Sequence, residues 1–250
     1  TATADEARGY ANGTGRGLNY FSPTINLSRD PRWGRSDETY GEDPFLTSII
    51  GRRFVEGFQG YDERYEKVNS TIKHYAANNS EFNRHKGTSD MDNRTLLEFY
   101  TRAFKSITLN TRVASVMGAY NRVNDVPVSA NNYLLDTLLR LRWGFDGFVV
   151  SDCGAVTNIY QDHMWKPSEE YLSQYEDGSR YVDASGKVTP QGAAALALLA
   201  GTDLNCGDAY NRYMATAVQE GLVSEADLDI ALVRIFTSRF KTGEFDPAEM

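Results

Sequence analysis

The chain has 250 residues, of which 41% are hydrophobic, so it can bury the core of one large or two small domains. Its formal charge is −8, from 26 basic and 34 acidic residues, which argues against a nucleic-acid-binding protein because no basic stripe is present to neutralise phosphates. The longest apolar stretch, around residues 193–200, is too short to span a bilayer, and two cysteines are too few for a disulfide scaffold.

Short apolar runs alternate with helical patterns along the chain. The predicted strands are Asn19–Ile25, Asn69–His74, Ala114–Tyr120, Gly147–Asp152 and Thr202–Asn205. The predicted helices are Glu42–Gln59, Arg94–Leu109, Leu134–Trp143, Pro190–Ala200, Arg212–Glu220 and Glu225–Lys241, the last opened by a capping box of Ser224 and Asp227. Strands that alternate with helices of this length are typical of parallel βαβ units.

Polar side chains follow the predicted strands at the points where the strands end. The apolar run Phe148-Val149-Val150 stops at Ser151-Asp152, and functional groups of parallel α/β folds lie at the carboxyl ends of strands. The same position holds Lys73, His74, Tyr120, Asn121, Arg122, Asp203 and Cys206, with Arg29, Asp30, Arg32 and Arg35 after the first strand. One rim supplied by four or five strands indicates a barrel mouth, although a closed barrel of this type has eight strands.

Four motifs closely resemble those of glycoside hydrolase family 3. They are SRDPRWGRSDETYGEDPFL (28–46), KHYAANN (73–79), VMGAYNRVNDVPVSANNYLLDTLLRLRWGFDGFVVSDCGAV (116–156) and AGTDLNCG (200–207). The resemblance runs from residue 17 to 245 and implies an α/β fold, a (β/α)8 TIM-like barrel that lacks its N-terminal strand here. It implies a partial catalytic barrel domain over residues 1–245, and at residues 246–250 the start of a linker to a second α/β domain.

The resemblance also implies roles for individual residues. Asp152 matches the family's catalytic nucleophile, and Tyr120 matches a tyrosine close to that carboxylate. Arg35, Lys73 and His74 match residues that hydrogen-bond the bound sugar. The acidic residue that grips the far hydroxyls of the sugar is expected upstream of this chain, and the general acid/base Glu is expected in the second domain. We further expect Tyr160 and Trp165, which follow the nucleophile, to form the leaving-group subsite.

Other interpretations of these residues stay open. An Asp after an apolar strand is by itself more often a helix cap or a surface turn, and Lys-His pairs are common on surfaces. Asp203 is an alternative candidate for the nucleophile, although a role in orienting other groups at the rim fits it better. The acidic cluster of Asp37, Glu38, Glu42 and Asp43 suits a helix start better than a metal site. His74, His85 and His163 lack metal-ligand spacing, so neither a metal nor a cofactor is expected.

The function predicted from these observations is a retaining exo-β-glycosidase that acts on an oligosaccharide. The Cys after Asp152 resembles the β-xylosidase branch, so we expect removal of terminal β-D-xylosyl residues through a covalent glycosyl-enzyme on Asp152. The alternatives are a β-glucosidase, an inactive glycan-binding fragment without the acid/base domain and, third, a structural or regulatory fragment.

Three further expectations concern the location of the protein, a cysteine pair and a peptide bond. A periplasmic or secreted location is favoured over the cytoplasm. Cys153 and Cys206, next to the ends of adjacent strands, are expected within disulfide reach of each other. A non-proline cis peptide bond is expected near Lys73–His74.

Overall fold

A parallel sheet organises the computed structural model, which describes residues 1–247. Its strands are β1 (Asn19–Tyr20), β2 (Asn69–Tyr75), β4 (Ser115–Gly118) and β7 (Phe148–Ser151), in the spatial order β1-β2-β4-β7. Parallel bridges from Thr24 to Lys73 and from Leu204 to Val150 extend this sheet at both sides. The short strands β3 (Thr88–Ser89), β5 (Arg122–Val123) and β6 (Val126–Pro127) form a separate small sheet.

Helices connect and cover the strands of the main sheet. They are α1 (Ala2–Thr14), α2 (Pro44–Gln59), α3 (Asn93–Thr95), α4 (Arg102–Asn110), α5 (Ala155–Tyr160), α6 (Glu169–Leu172), α7 (Pro190–Ala200), α8 (Ala209–Gln219) and α9 (Glu225–Lys241). Two segments, Leu96–Tyr100 and Tyr133–Arg142, are wider π-helical turns, and Ser36–Glu38, Val128–Ala130 and Gly178–Tyr181 are 3₁₀ turns.

The strands bury both of their faces, as a parallel sheet between helical layers requires. Ile72, Val116 and Val149 face one large core that also contains the buried side chains of α4 and of the Tyr133–Arg142 turn. Met117, Phe148 and Val150 alternate with them and face the opposite side, where Ile235 of α9 packs against them. This alternation explains why the strands are continuous apolar runs, and it leaves only their carboxyl ends for polar groups.

The predicted α/β class is confirmed, and the curved parallel sheet has the arrangement of part of a (β/α)8 barrel. Helices α7 and α9 have the predicted bounds, and the capping box at Ser224 is present. The predicted helix over residues 94–109 is instead divided by the π-helical turn at Leu96–Tyr100. The last predicted strand, residues 202–205, reduces to one bridge at Leu204, and α1 was not predicted.

Several other sequence-based predictions concern backbone and boundaries. The cis peptide bond between Lys73 and His74 is present. Within residues 1–247, no helix is both long and apolar enough to cross a membrane. The predicted linker, residues 246–250, extends beyond the described part of the chain from residue 248 onward.

Candidate active site

Asp152 follows β7 directly, and its carboxylate is the centre of the candidate site. The residue is only 8% exposed. Its Oδ1 accepts a hydrogen bond of 2.8 Å from the Cys153 backbone N–H, whereas its buried Oδ2 has no hydrogen-bond partner within residues 1–247. Burial raises the pKa of Asp152 above its ordinary value, and the Cys153 N–H, Tyr120, Lys73 and Arg35 oppose that rise. A buried carboxylate with one unused oxygen can accept a new bond or hydrogen bond from a ligand.

His74 ends β2 beside Asp152, and Asn26 fixes its ring. The Asn26 side-chain amide pairs with both the N–H and the C=O of His74, at 2.8 Å each, and its Oδ1 also lies 3.0 Å from His74 Nδ1. Nδ1 therefore carries the proton. Burial, with Arg35 and Lys73 nearby, holds the pKa of His74 well below its ordinary value, so Nε2 has a free lone pair at neutral pH. Nε2 lies 3.6 Å from Asp152 Oδ2, and the two acceptors face the same space.

Positive charge reaches the site through Lys73 and Arg35. Arg35 makes two hydrogen bonds of 2.8 Å to the carboxylate of Glu38, which also accepts one of 3.0 Å from the Thr24 hydroxyl. The hydrogen bonds and charge of Arg35, helped by Thr24 and Lys73, lower the pKa of Glu38 to about 2, so Glu38 is ionised. Burial, followed by the charge of Arg35, lowers the pKa of Lys73. Glu38 thus offsets part of the repulsion between two cations that both act on Asp152.

Tyr120, just beyond β4, forms the wall beside the nucleophile candidate. Its hydroxyl donates to the Cys153 carbonyl oxygen at 2.8 Å, and burial together with the Asp152 charge raises the pKa of Tyr120 to about 12. The Arg84 guanidinium lies 4.9 Å from the centre of the Tyr120 ring, and the His85 ring lies 4.4 Å from it. Tyr120 is therefore held as a neutral donor between a cation and a second ring.

A disulfide holds the segment that follows Asp152. Cys153 and Cys206 are bonded with their Cα atoms 4.4 Å apart, which confirms the predicted proximity. The Gly154 N–H donates to the Cys206 carbonyl oxygen at 2.7 Å, and Gly154 has φ 87°, a conformation that glycine adopts without the cost of a Cβ. The chain can thereby turn sharply from β7 into α5 while the Cys153 N–H stays directed at Asp152.

Two aromatic residues predicted for the leaving-group subsite lie in different surroundings. Tyr160, at the end of α5, is half-buried and makes an edge contact with the Tyr213 ring at 5.9 Å. Trp165 is 3% exposed and packs on Tyr171 inside the second core, because the chain after α5 folds back and pairs with Val188. The sequence gives no sign of this return, and the structure offers no open face of Trp165 to a sugar. Stacking by Trp165 is therefore unsupported.

Asp203 and three glutamates, Glu81, Glu169 and Glu170, are each paired or exposed. Asp203 is bound by Arg140, Arg234 and the Val149 N–H, which leaves it no free oxygen. Glu81 accepts a hydrogen bond from Trp33 and pairs with Arg84. Glu169 and Glu170 are exposed in the first turn of α6. Within residues 1–247, no group of His, Cys, Asp and Glu side chains has the arrangement of a metal site.

Sequence reasoning singles out neither Asn26 nor Arg84, and it considers Glu38 only as part of an acidic cluster at a helix start. Asn26 follows the first strand, so the strand-end argument that found His74 also applies to it. Glu38 and Arg84 lie in irregular segments, and their positions depend on how those loops fold. The spacing of Glu38 three residues after Arg35 is a signal for an ion pair within one turn.

Comparison with known proteins identifies the family. A sequence profile described as "Glycosyl hydrolase family 3 N terminal domain" matches residues 14–238. The chain therefore belongs to glycoside hydrolase family 3.

Similar proteins include a probable exo-1,4-beta-xylosidase, bxlB, of Aspergillus oryzae, 40% identical over the whole of this chain and 30% of its own length. A xylan 1,4-beta-xylosidase of Xylanibacter ruminicola is 40% identical over 92% of this chain and 25% of its own length. Among solved structures, a GH3 exo-beta-xylosidase (XlnD) in complex with a xylobiose aziridine activity-based probe aligns with a TM-score of 0.85 and 33% identity, over 99% of this chain and 30% of that one. The chain thus spans less than a third of the length of these relatives.

Proposed function

We propose that this chain is the nucleophile-bearing domain of a retaining exo-β-xylosidase. The observation that carries the proposal is the carboxylate of Asp152, whose buried and unpaired Oδ2 lies 3.6 Å from His74 Nε2 and which interacts with the charges of Lys73 and Arg35. Retaining glycosidases need an ionised carboxylate at the anomeric carbon, and the cations around Asp152 favour its ionised form. The two β-xylosidases at 40% identity support xylose as the terminal sugar.

The reaction would proceed in two displacements at one carbon. In the first, Asp152 Oδ2 attacks the anomeric carbon, the bond to the leaving oxygen breaks, and a general acid gives that oxygen a proton. In the second, the same acid, now a base, takes a proton from water, and the water oxygen displaces Asp152. Two inversions give net retention. The acid carboxyl is expected about 5 Å from the Asp152 carboxyl, as in other retaining glycosidases.

The surrounding side chains suit a ligand rich in hydroxyl groups. Lys73 and Arg35 can donate charge-assisted hydrogen bonds to a ligand, and the neutral Nε2 of His74 can accept one. A sugar hydroxyl is both donor and acceptor, so it can satisfy each of them. We assign these three residues to the sugar and Tyr120 to positioning Asp152 through the Cys153 carbonyl. Tyr160 stays a candidate for the leaving-group side.

The general acid is proposed to come from outside these residues. Glu81 is engaged by Trp33 and Arg84, and the relatives are about three times as long as this chain. We therefore propose residues 1–245 as a barrel domain that acts with a second α/β domain supplying a Glu, joined through residues 246–250. The disulfide next to Asp152 supports an oxidising location, either periplasmic or secreted.

A second activity, β-glucosidase, is favoured by one observation. A beta-glucosidase from Listeria innocua in complex with glucose aligns with a TM-score of 0.74 and 29% identity, over 97% of this chain and 32% of that one. The likeness is weaker than that to the β-xylosidase structure, so we place xylose first.

Two measurements on the full-length gene product test the proposal. Hydrolysis of nitrophenyl β-D-xyloside and β-D-glucoside is compared, and we expect the xyloside to have the higher kcat/KM. A 2-deoxy-2-fluoro-xylosyl inhibitor is then expected to label Asp152, as located by peptide mass spectrometry. A label on Asp203, or turnover without any label, would contradict the assignment of Asp152.

A further inference from the structure

Three arginines and the Phe99 ring line a second polar depression that the proposed reaction does not use. We call it the arginine pocket. It has a volume of about 470 Å³ and is lined by Arg29, Arg94, Thr95, Glu98, Phe99 and Arg102. Arg29 comes three residues after Asn26, the partner of His74, and the other residues lie between Asn93 and Arg102, on the helical segment that follows β3. The volume lies within the range of small-molecule sites.

The pocket carries an excess of positive charge on a chain whose net charge is −8. Arg94 pairs with Glu98 at 2.9 Å, which neutralises one of the three guanidinium groups. Arg29 lies 5.3 Å from the centre of the Phe99 ring and 5.4 Å from that of Tyr100, and it contacts the Tyr100 hydroxyl. Arg102 forms no ion pair with any residue from 1 to 247. Two guanidinium groups are therefore without a carboxylate within residues 1–247, and one of them, that of Arg29, lies over two aromatic rings.

The backbone brings these side chains to one side of the helical segment. The N–H of Thr101 donates to the carbonyl of Leu96 at 2.9 Å, five residues earlier, so the turn Leu96–Tyr100 is wider than an α-helical turn. Phe99 and Tyr100 make an edge contact within it, with ring centres 5.2 Å apart. Turns of this kind frequently accompany functional sites. Here the turn sets an aromatic pair beside Arg102 and beneath Arg29.

We propose that the arginine pocket binds a carboxylate-bearing sugar ring, a uronic acid unit of an oligosaccharide. A guanidinium group binds a carboxylate through two parallel hydrogen bonds, and a sugar ring presents a face of C–H groups that packs on an aromatic ring. A phosphate or sulfate ion would satisfy the arginines but would not pack on the half-buried Phe99 ring, which contacts Arg29 and Tyr100. The choice of a sugar rests on the proposed function, because an enzyme that acts on oligosaccharides would meet acidic units on the same chains.

The test measures binding directly on the full-length gene product, in low salt and with saturating xylose to occupy the site at Asp152. Methyl β-D-glucuronide and methyl β-D-glucoside, which differ in the carboxylate, are titrated by ligand-observed NMR. We expect the glucuronide to bind at least about tenfold more tightly, with a millimolar Kd that weakens as salt is added. Arg102→Gln is expected to weaken glucuronide binding at least about fivefold, and Phe99→Leu to weaken it as well. Arg53→Gln, which removes an exposed arginine from α2, is the matched control.

Each result supports or contradicts the binding of a uronic acid in the arginine pocket. Equal binding of the two methyl glycosides, or an Arg102→Gln variant that binds like Arg53→Gln, would overturn the proposal. Inorganic phosphate or ferulate that binds more tightly than the glucuronide would assign the pocket to a different anion and would also overturn it. Failure of xyloside hydrolysis would count against the proposed function only, because the difference between glucuronide and glucoside needs no turnover.

Discussion

Asp152 follows β7 directly, and Asp203 precedes Leu204, which pairs with β7. Both aspartates are buried, but their surroundings differ. Burial raises the pKa of both carboxyls above the ordinary value. Asp203 accepts hydrogen bonds from the Val149 N–H at 2.7 Å and from Arg234 at 2.8 Å, and it also pairs with Arg140. Asp152 accepts one bond from its own backbone neighbour and keeps Oδ2 free. Burial and the direction of the pKa shift therefore do not separate these two aspartates, whereas the number of carboxylate oxygens with a hydrogen-bond partner does.

The largest expected effect is the loss of reaction when Asp152 becomes Asn. With dinitrophenyl β-D-xyloside, whose leaving group needs no proton, Asp152→Asn should lower kcat at least about 10³-fold in the full-length gene product. Stability should not fall, because Asn has nearly the same size as Asp and the Oδ2 of Asp152 has no hydrogen-bond partner within residues 1–247 to lose. Thermal unfolding at pH 7 provides the control. A variant with kcat within about tenfold of wild type would remove the distinction between the two aspartates.

The reverse pattern is expected for Asp203. Asp203→Asn leaves Arg140 and Arg234 without a charged partner, and removing one member of a buried pair costs about 3–5 kcal/mol. Urea unfolding should show this loss, while the variant that still folds at low temperature should react with the fluorosugar at Asp152. Asp208→Asn, which breaks an exposed pair with Arg212, is the matched control and should cost less than about 1 kcal/mol. Equal destabilisation by the two variants would refute the structural role.

The disulfide joins the segments that follow the two aspartates, so its loss should affect both stability and reaction. Replacing both Cys153 and Cys206 with Ser removes a crosslink between residues 53 apart in sequence, and about 2–4 kcal/mol of stability should be lost. The Cys153 N–H would also be held less firmly against Asp152, so kcat should fall as well. Reductant should reproduce these effects in wild type and leave the double variant unchanged. A reduced wild-type protein with full stability and activity would contradict this coupling.

The sequence predicts the site residues at the ends of strands better than those in irregular segments. Asp152 and Tyr120 come just after buried strands, and Lys73 and His74 lie near the carboxyl end of β2, so apolar runs locate all four without knowledge of the tertiary structure. Their partners depend on irregular segments: Arg84 reaches Tyr120 from the stretch between β2 and β3, and Glu38 reaches Arg35 from a 3₁₀ turn. Such segments carry no periodic pattern from which their path can be inferred.

Two predictions, the position of Trp165 and the uninterrupted helix over residues 94–109, were wrong for a related reason. The prediction places Trp165 at the mouth because it follows Asp152 in sequence, but backbone hydrogen bonds to Ile159 and Val188 return it to the core. The π-helical turn at Leu96–Tyr100 interrupts a pattern that is regular in sequence. Both outcomes depend on tertiary contacts that local propensity does not encode.

The smallest expected effect concerns Glu66, a third buried carboxylate, which lies outside the site. Burial raises its pKa to about 7, against the partial compensation of Lys241 and Arg112, and its Oε2 has no hydrogen-bond partner within residues 1–247. The unfolded chain ionises Glu66 near its ordinary value, so stability should fall as pH rises from about 4.5 to about 7, by at most about 3 kcal/mol. Glu66→Gln should remove this slope in urea unfolding at several pH values, whereas exposed Glu63→Gln should keep it. If Glu66→Gln leaves the slope unchanged, Glu66 is not the group responsible. Glu66 shares a raised pKa, an unpaired oxygen and two nearby cations with Asp152, so a Glu66→Gln variant that reacts like wild type would show that the position of Asp152 after β7, beside His74, is what distinguishes it.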